Sequence, residues 1–269
     1  HDRDSAAAMN PKQGGSMGDE LTNAALIALI GAFGLALALR CQLGPNEAAG
    51  RREEHPAGGV GDLQIGGQDR LAAPDAGDHR VGADILCYMT GYEDPRLEKM
   101  FLPNDKGDYV GIRIGIDVTS KSQAQAKYSN MIVESTTPYL WFNAAEATFL
   151  RAEYELRWGS AETAKTLYEQ AVRLSFEERG ASGADAYLVD ATKKPAPYTD
   201  PLGNYSASAR SEITVPWETA TDGSDTEAVQ ERNLERIIVQ KWIAIFPLGV
   251  EAWSEHRRTG YPKLLPVPT

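Results

Sequence analysis

Cysteine is nearly absent from this chain: Cys41 and Cys87 are the two examples in 269 residues. Two thiols build neither a disulfide framework nor a metal quartet. The four histidines, His1, His55, His79 and His256, never fall at zinc-ligand spacing, so neither a metal nor any other cofactor is expected. Positive charge is also in short supply. The formal net charge is -11, which argues against binding to nucleic acid and against electrostatic docking on anionic lipid. Aromatic residues are missing from the front of the chain, where Phe33 is the one example in the first 80 positions. Between Gly34 and Gly82 turn-forming residues recur with neither helical nor strand period, the composition of a linker or a disordered segment.

Residues 24–39 form an uncharged apolar run ending at Arg40-Cys41, which invites comparison with a signal peptide, a lipoprotein leader or a membrane anchor. The preceding Met17-Gly18-Asp19-Glu20 is acidic where a signal needs positive charge. Arg40 stands where a small residue should precede a lipidated cysteine. As a helix the run would be about 24 Å long, short for a bilayer.

What is present begins after residue 80. Ile85, Leu86 and Met89 mark a short helical face, which Gly91 can end in a left-handed conformation. Asp94-Pro95 starts a new turn, and Arg96 is expected to pair with Asp94 or a buried carbonyl. Residues 108–117 alternate apolar and polar side chains, predicting a short strand or extended arm; residues 120–129 predict a polar surface loop. The clearest amphipathic helix is predicted over 139–158, with Pro138 at its start and Trp141, Ala145, Thr148, Ala152 and Leu156 on one stripe beside Phe149. Gly159 stops it and Ser160 caps a second helix carrying Ala164, Leu167, Tyr168, Ala171, Val172 and Ser175 at spacings of three and four, closed by Gly180. Two helices joined this tightly lie antiparallel. Glutamates 146, 153 and 155 along the first of them predict a solvated face.

Residues 181–225 form a long excursion rich in Gly, Pro, Ser and Asp. Its aromatics, Tyr187, Tyr198, Tyr205 and Trp217, are the candidate ligand-binding residues: planar rings stack on sugar faces, and Asn204 or Asp200 could add hydrogen bonds. The competing role for these rings is to pin the loop to the helices. Ser224-Asp225-Thr226-Glu227 predicts a capping box restarting the last long helix. That helix is apolar nearly all round, with Ile237, Ile238, Trp242 and Ile245 on one face and Val239, Ile243 and Phe246 on another, interrupted by Gln240 and Lys241. Such a helix must sit inside a packed assembly, with a break near Pro247 and Gly249. A second short helix then carries Trp253 into the same interior.

Gln240-Lys241-Trp242-Ile243-Ala244, with Phe246, Gly249, Glu251-Ala252-Trp253 and Arg257-Arg258-Thr259-Gly260-Tyr261-Pro262, resembles the C-terminal signature of the SusD/RagB family. Gly91-Tyr92-Glu93-Asp94-Pro95-Arg96-Leu97 and the helix around Ala144 to Glu153 are similar to further family patterns. The resemblance covers roughly residues 82–262. It implies a mainly α fold of tetratricopeptide-like helical hairpins with long irregular loops and few short strands. It also implies a C-terminal fragment of a nutrient-binding lipoprotein facing the cell surface on a Bacteroidota-type outer membrane, held by a lipid anchor missing from this fragment. Such a protein binds oligosaccharide or peptide without catalysis and delivers it to a partner SusC-like TonB-dependent transporter. Two domains follow: residues 1–80, unassigned, and 81–269, the C-terminal part of a SusD-like helical domain. Shifted by one base after back-translation, residues 33–40 can read Ser-Ala-Leu-Arg-Leu-Arg-Phe, similar to a family helix, so residues 30–80 are a candidate frameshift product. The rivals are a helical-repeat protein adaptor, which needs about three hairpins where one is evident, and a glycoside hydrolase, which needs two carboxylates across a cleft.

Overall fold

A computed structural model of the protein describes residues 79–133, 137, 138, 140 and 143–268. The apolar run at 24–39, Cys41, the candidate frameshift and the side chain of Trp141 lie outside the described residues, apart from positions 79 and 80.

The described part is mainly helical. Helix α1 (Ala83–Gly91) and the short α2 (Leu97–Met100) lead into β1 (Phe101–Leu102), which pairs antiparallel with β2 (Asn130–Met131). Between the strands lies α3 (Lys121–Lys127). Five more helices follow among the described residues: α4 (Ala144–Trp158), α5 (Ala161–Glu178), the short α6 (Ala184–Val189), α7 (Thr226–Ala244) and α8 (Gly249–Thr259).

The hairpin α4–α5 forms for the reasons its sequence offers. Asn143 caps α4 by accepting from the Glu146 N–H, Gly159 ends it, and Ser160 accepts from the Thr163 N–H to start α5. Each cap satisfies an otherwise orphaned donor. The buried residues of α5 are Ala164, Leu167, Tyr168, Ala171, Val172, Ser175 and Phe176, which adds one position to the expected stripe. Gly180 leaves the helix at φ 62°, a conformation costly for a side chain. Ala171 has no exposed surface, so Ala171→Leu must push its neighbours apart. The expected cost is about 1–3 kcal/mol, read as a lower urea midpoint with an unchanged slope.

Several expectations are corrected. Helix α4 starts at Ala144, not near Pro138, because the capping side chain is Asn143. Residues 121–127 are helical, not loop: Ser120 caps them by accepting from the Gln123 N–H, and with no buried residue in α3 there was no apolar period to detect. The arm at 108–117 makes an isolated bridge, Ile112 with Gly82, and the ladder strands are β1 and β2. Gly91 is the last residue of α1 and has no positive φ; the left-handed residue is Glu93, at φ 51°. A Cβ at Gly91 would come within 2.3 Å of Lys194 O and Ala196 N, so close backbone approach excludes a side chain there. The excursion contains α6, entered from Gly183 at φ 89°. The cap of α7 is Asp225, accepting from the Ala228 N–H, while the Ser224 hydroxyl turns back to accept from the Thr221 N–H.

Helix α7 fills the middle. Ile237, Ile238, Val239, Ile243 and Ala244 are all buried in one core with Phe149, Tyr168 and Phe176. Trp242 is half-buried and meets Tyr88 edge-on at 5.7 Å. Trp253 is different: it is 57% exposed. The expected burial of both indoles is therefore wrong for the second, because α8 turns its charged face inward.

Candidate functional site

The turn at Tyr92–Leu97, between α1 and α2, is organised by Arg96, which has no exposed surface. Its guanidinium donates from Nε to Asp94 Oδ1 at 3.0 Å and from Nη2 to Asp94 Oδ2 at 2.6 Å. Further donations reach Ser175 Oγ on α5 and Gln240 Oε1 on α7, both at 2.8 Å. The rings of Phe176 and Tyr187 lie 4.7 and 5.4 Å from its central carbon. Gln240 Nε2 in turn donates to the Tyr187 hydroxyl, which donates to Asp94 Oδ2. One planar cation thus joins four elements. Burial pulls its pKa down most strongly of any single cause, but the charges and hydrogen bonds of Asp94 and Tyr187 together outweigh it and the net shift is upward. The sequence marked the Asp94 pairing but treated Gln240 as an interruption. A glutamine inside an all-apolar helix was the available signal that a buried polar partner exists.

Two clefts open on either side of this turn. One, of about 230 Å³, is lined by Tyr92, Glu93, Gly183, Tyr187, Asp190 and Lys193 among others. The second, of about 480 Å³, lies between Glu93–Lys99 and Gly180–Ser182. Glu93 and Lys193 form an ion pair at the rim.

The four candidate aromatics do not gather in one place. Tyr187 is buried on α6, part of the Arg96 network, with its ring against Phe176 and Tyr92; burial and the Asp94 charge push its phenol well up. Tyr198 is buried and its hydroxyl has no hydrogen-bond partner among the described residues. Tyr205 is half-buried on the adjoining turn, where Asp200 accepts from the Asn204 and Tyr205 N–H groups and from the Tyr128 hydroxyl. Trp217 is half-buried against Tyr168, ring centres 5.6 Å apart. The return limb of the excursion is pinned by buried phenols: Tyr92 donates to Ile213 O and Tyr168 to Val215 O. Asp200 is buried with both oxygens occupied, whereas Asn204 is exposed.

A second polar constellation, which sequence reasoning did not identify, joins α4, α7 and α8. Lys241, 1% exposed, has Glu255 at 3.1 Å, Glu146 at 3.4 Å and Glu251 at 3.8 Å. Arg258 donates to both oxygens of Glu153 at 2.6 Å, and Arg157 donates to the same carboxylate at 2.8 Å. Glu146 and Glu153 are thus not the solvated face expected of them. Burial pushes Glu146 above the ordinary range, with the Lys241 charge opposing. For Glu153 burial acts in the same direction, but the two arginines outweigh it and its pKa falls below the ordinary range. A depressed folded-state carboxylate stabilises above its unfolded pKa, about 4.3, and that contribution disappears as pH drops through the folded value. Glu153→Gln is therefore expected to be less stable than wild type at pH 7, with the gap closing by pH 3. Denaturant unfolding at both pH values tests this, and a gap independent of pH contradicts it.

Among the described residues no group of three or more His, Cys, Asp or Glu side chains could hold a metal ion, and no helix is long and apolar enough to cross a membrane.

Residues 69–269 match a family model described as SusD-like, Susd and RagB outer membrane lipoprotein. Solved structures agree. A SusD homologue from Bacteroides thetaiotaomicron is 51% identical with a TM-score of 0.68, the match covering 75% of this chain and 42% of that one. One from Bacteroides uniformis is 46% identical, TM-score 0.63, over 70% of this chain and 38% of its own. A chitin-binding SusD homologue from Flavobacterium johnsoniae is 41% identical, TM-score 0.65, over 74% and 40%. The chain therefore spans about two fifths of the length of these relatives. No curated protein matches it.

Proposed function

This chain belongs to the SusD-like family of outer membrane lipoproteins, and from that premise we propose that it captures nutrient oligosaccharide at the cell surface without transforming it. In this proposal the ligand passes to a SusC-like TonB-dependent transporter, and the protein is held to the membrane by a lipid anchor. The observation that carries the proposal is the match over residues 69–269 to a family of that description. A chitin-binding relative, 41% identical, makes chito-oligosaccharide the first ligand to try.

The excursion supplies the ligand contacts in this proposal. Tyr205 and Trp217 are only half-buried, and exposed Asn204 is adjacent to Tyr205 in the chain. Buried Tyr187 takes part by lining the smaller cleft, and buried Tyr198 by supporting the turn that carries Tyr205. A planar ring against a sugar face gives about 1 kcal/mol. Tyr205→Ala is accordingly expected to weaken binding about fivefold, measured by calorimetric titration with chito-oligosaccharides and a wider glycan panel. Release of shortened sugars during incubation would instead establish a glycoside hydrolase. Failure to bind any glycan or peptide, with a protein partner captured, would favour the helical adaptor.

A further inference from the structure

The excursion holds a buried phenol whose hydrogen-bonding demand is unmet. Tyr198 is 3% exposed and its hydroxyl has no partner among the described residues, whereas buried polar groups are ordinarily paired. Its backbone closes a loop: Tyr198 and Ala207 exchange N–H to carbonyl bonds at 2.8 and 2.9 Å. The residues between them wrap Asp200, whose carboxylate has no room for the Tyr198 proton. It already accepts from the Leu202, Asn204 and Tyr205 N–H groups and from the Tyr128 hydroxyl, which fills the capacity of a carboxylate. Tyr128, 1% exposed, spends its one proton on Asp200 and keeps its oxygen lone pairs as acceptors.

Both phenols stay protonated at neutral pH. Burial first, and then the Asp200 charge, push Tyr128 up to about 12, with the Tyr205 phenol adding to the shift. Burial, with Tyr128 and Asp200 nearby, raises Tyr198 as well. Tyr128, Tyr198 and Tyr205 thus gather around one carboxylate, with a spare donor on Tyr198 and a spare acceptor on Tyr128. One turn of chain makes the cover: Gly203, Asn204 and Ser206 are exposed, and Pro201, Leu202 and Tyr205 half-buried. Arg113 holds the Tyr205 carbonyl at 2.6 Å and Pro266 O at the same distance, which fixes Tyr205 in place.

We propose that Tyr198 is the specificity-determining donor of the Tyr205 subsite and takes a free sugar hydroxyl, admitted by displacement of the exposed tip at Gly203–Asn204. The sugar oxygen accepts from the Tyr198 O–H, and its own proton goes to the Tyr128 oxygen. This rests on the glycan-binding reading above and adds which chemical group the subsite selects. A hydroxyl both donates and accepts, an ether oxygen only accepts, and a deoxy carbon does neither. A site built to pair a hydroxyl discriminates against the analogue lacking it, because its buried partners are then left unpaired.

The test is Tyr198→Phe, read in two ways. Without ligand, deletion of an unpaired buried hydroxyl should raise the urea midpoint at unchanged slope. In calorimetric titration with tri-N-acetylchitotriose, or the panel glycan that binds in its place, the same variant should bind about tenfold more weakly than wild type. Among singly deoxygenated forms of that sugar, one should bind wild type about tenfold more weakly than the parent, yet bind Tyr198→Phe as well as the parent does. A lowered midpoint overturns the proposal by assigning the hydroxyl to a trapped water. Equal affinity of wild type and Tyr198→Phe overturns it too, while leaving the glycan-binding reading standing. A wild type that binds no sugar of the panel overturns both.

Discussion

Arg96→Met is expected to destabilise the protein by about 3–5 kcal/mol, the usual penalty for removing one partner of a buried ion pair. The substitution keeps most of the side-chain volume, so the loss is electrostatic and not a cavity. It strands the Asp94 carboxylate away from water and leaves Ser175 Oγ and Gln240 Oε1 without their donor. Against a typical stability of about 5–15 kcal/mol this is a large fraction. A paired variant separates the causes. If the stranded charge dominates, Asp94→Asn combined with Arg96→Met should lose less than Arg96→Met alone, since a neutral amide is cheaper to bury than an unpaired carboxylate. Chemical denaturation of wild type and both variants measures the two losses. A loss under about 1 kcal/mol for Arg96→Met would mean that Arg96 does not hold the turn together.

Lys241→Met should cost about 2–4 kcal/mol at pH 7.5, somewhat less than Arg96 because the surrounding carboxylates keep some access to water. Without the ammonium, Glu146, Glu251 and Glu255 repel one another across the junction of α4, α7 and α8. Glu146 already sits above the ordinary carboxylate range, and the Lys241 charge is what restrains it. Removing that charge raises it further. A raised folded-state carboxylate pKa gives stability that is complete below the unfolded value and lost as pH rises through the folded one. The deficit of Lys241→Met should therefore shrink from pH 7.5 to pH 4.5. Because α8 buries little apolar surface, its amides should lose hydrogen-exchange protection first while those of α5 stay protected. Uniform loss across both helices would show that α8 is not held chiefly by these ion pairs.

Much of the fold could be foreseen. Period and caps placed the α4–α5 hairpin, and the all-round apolar face of α7 required a helix wrapped in others. The misses have local causes. Helix α3 buries nothing and so shows no apolar period, α6 is six residues long, and neighbouring residues at 224 and 225 compete for one cap. The candidate ligand aromatics were visible as isolated rings in a loop. Nothing in their spacing showed that Tyr187 and Tyr198 would be buried or that Trp217 would lie on Tyr168.

The sequence by itself determined where the α4–α5 hairpin and α7 run, that α7 is apolar nearly all round, and which family the chain belongs to, because burial period and motif spacing are properties of neighbouring residues. Tertiary structure alone decided which polar groups meet. Arg96 finds Gln240 across 144 positions and Arg258 finds Glu153 across 105, and charge pairing at that distance leaves no local pattern. It also decided that α8 would turn its charges inward and Trp253 outward, since a helix faces whichever side offers its ions a partner.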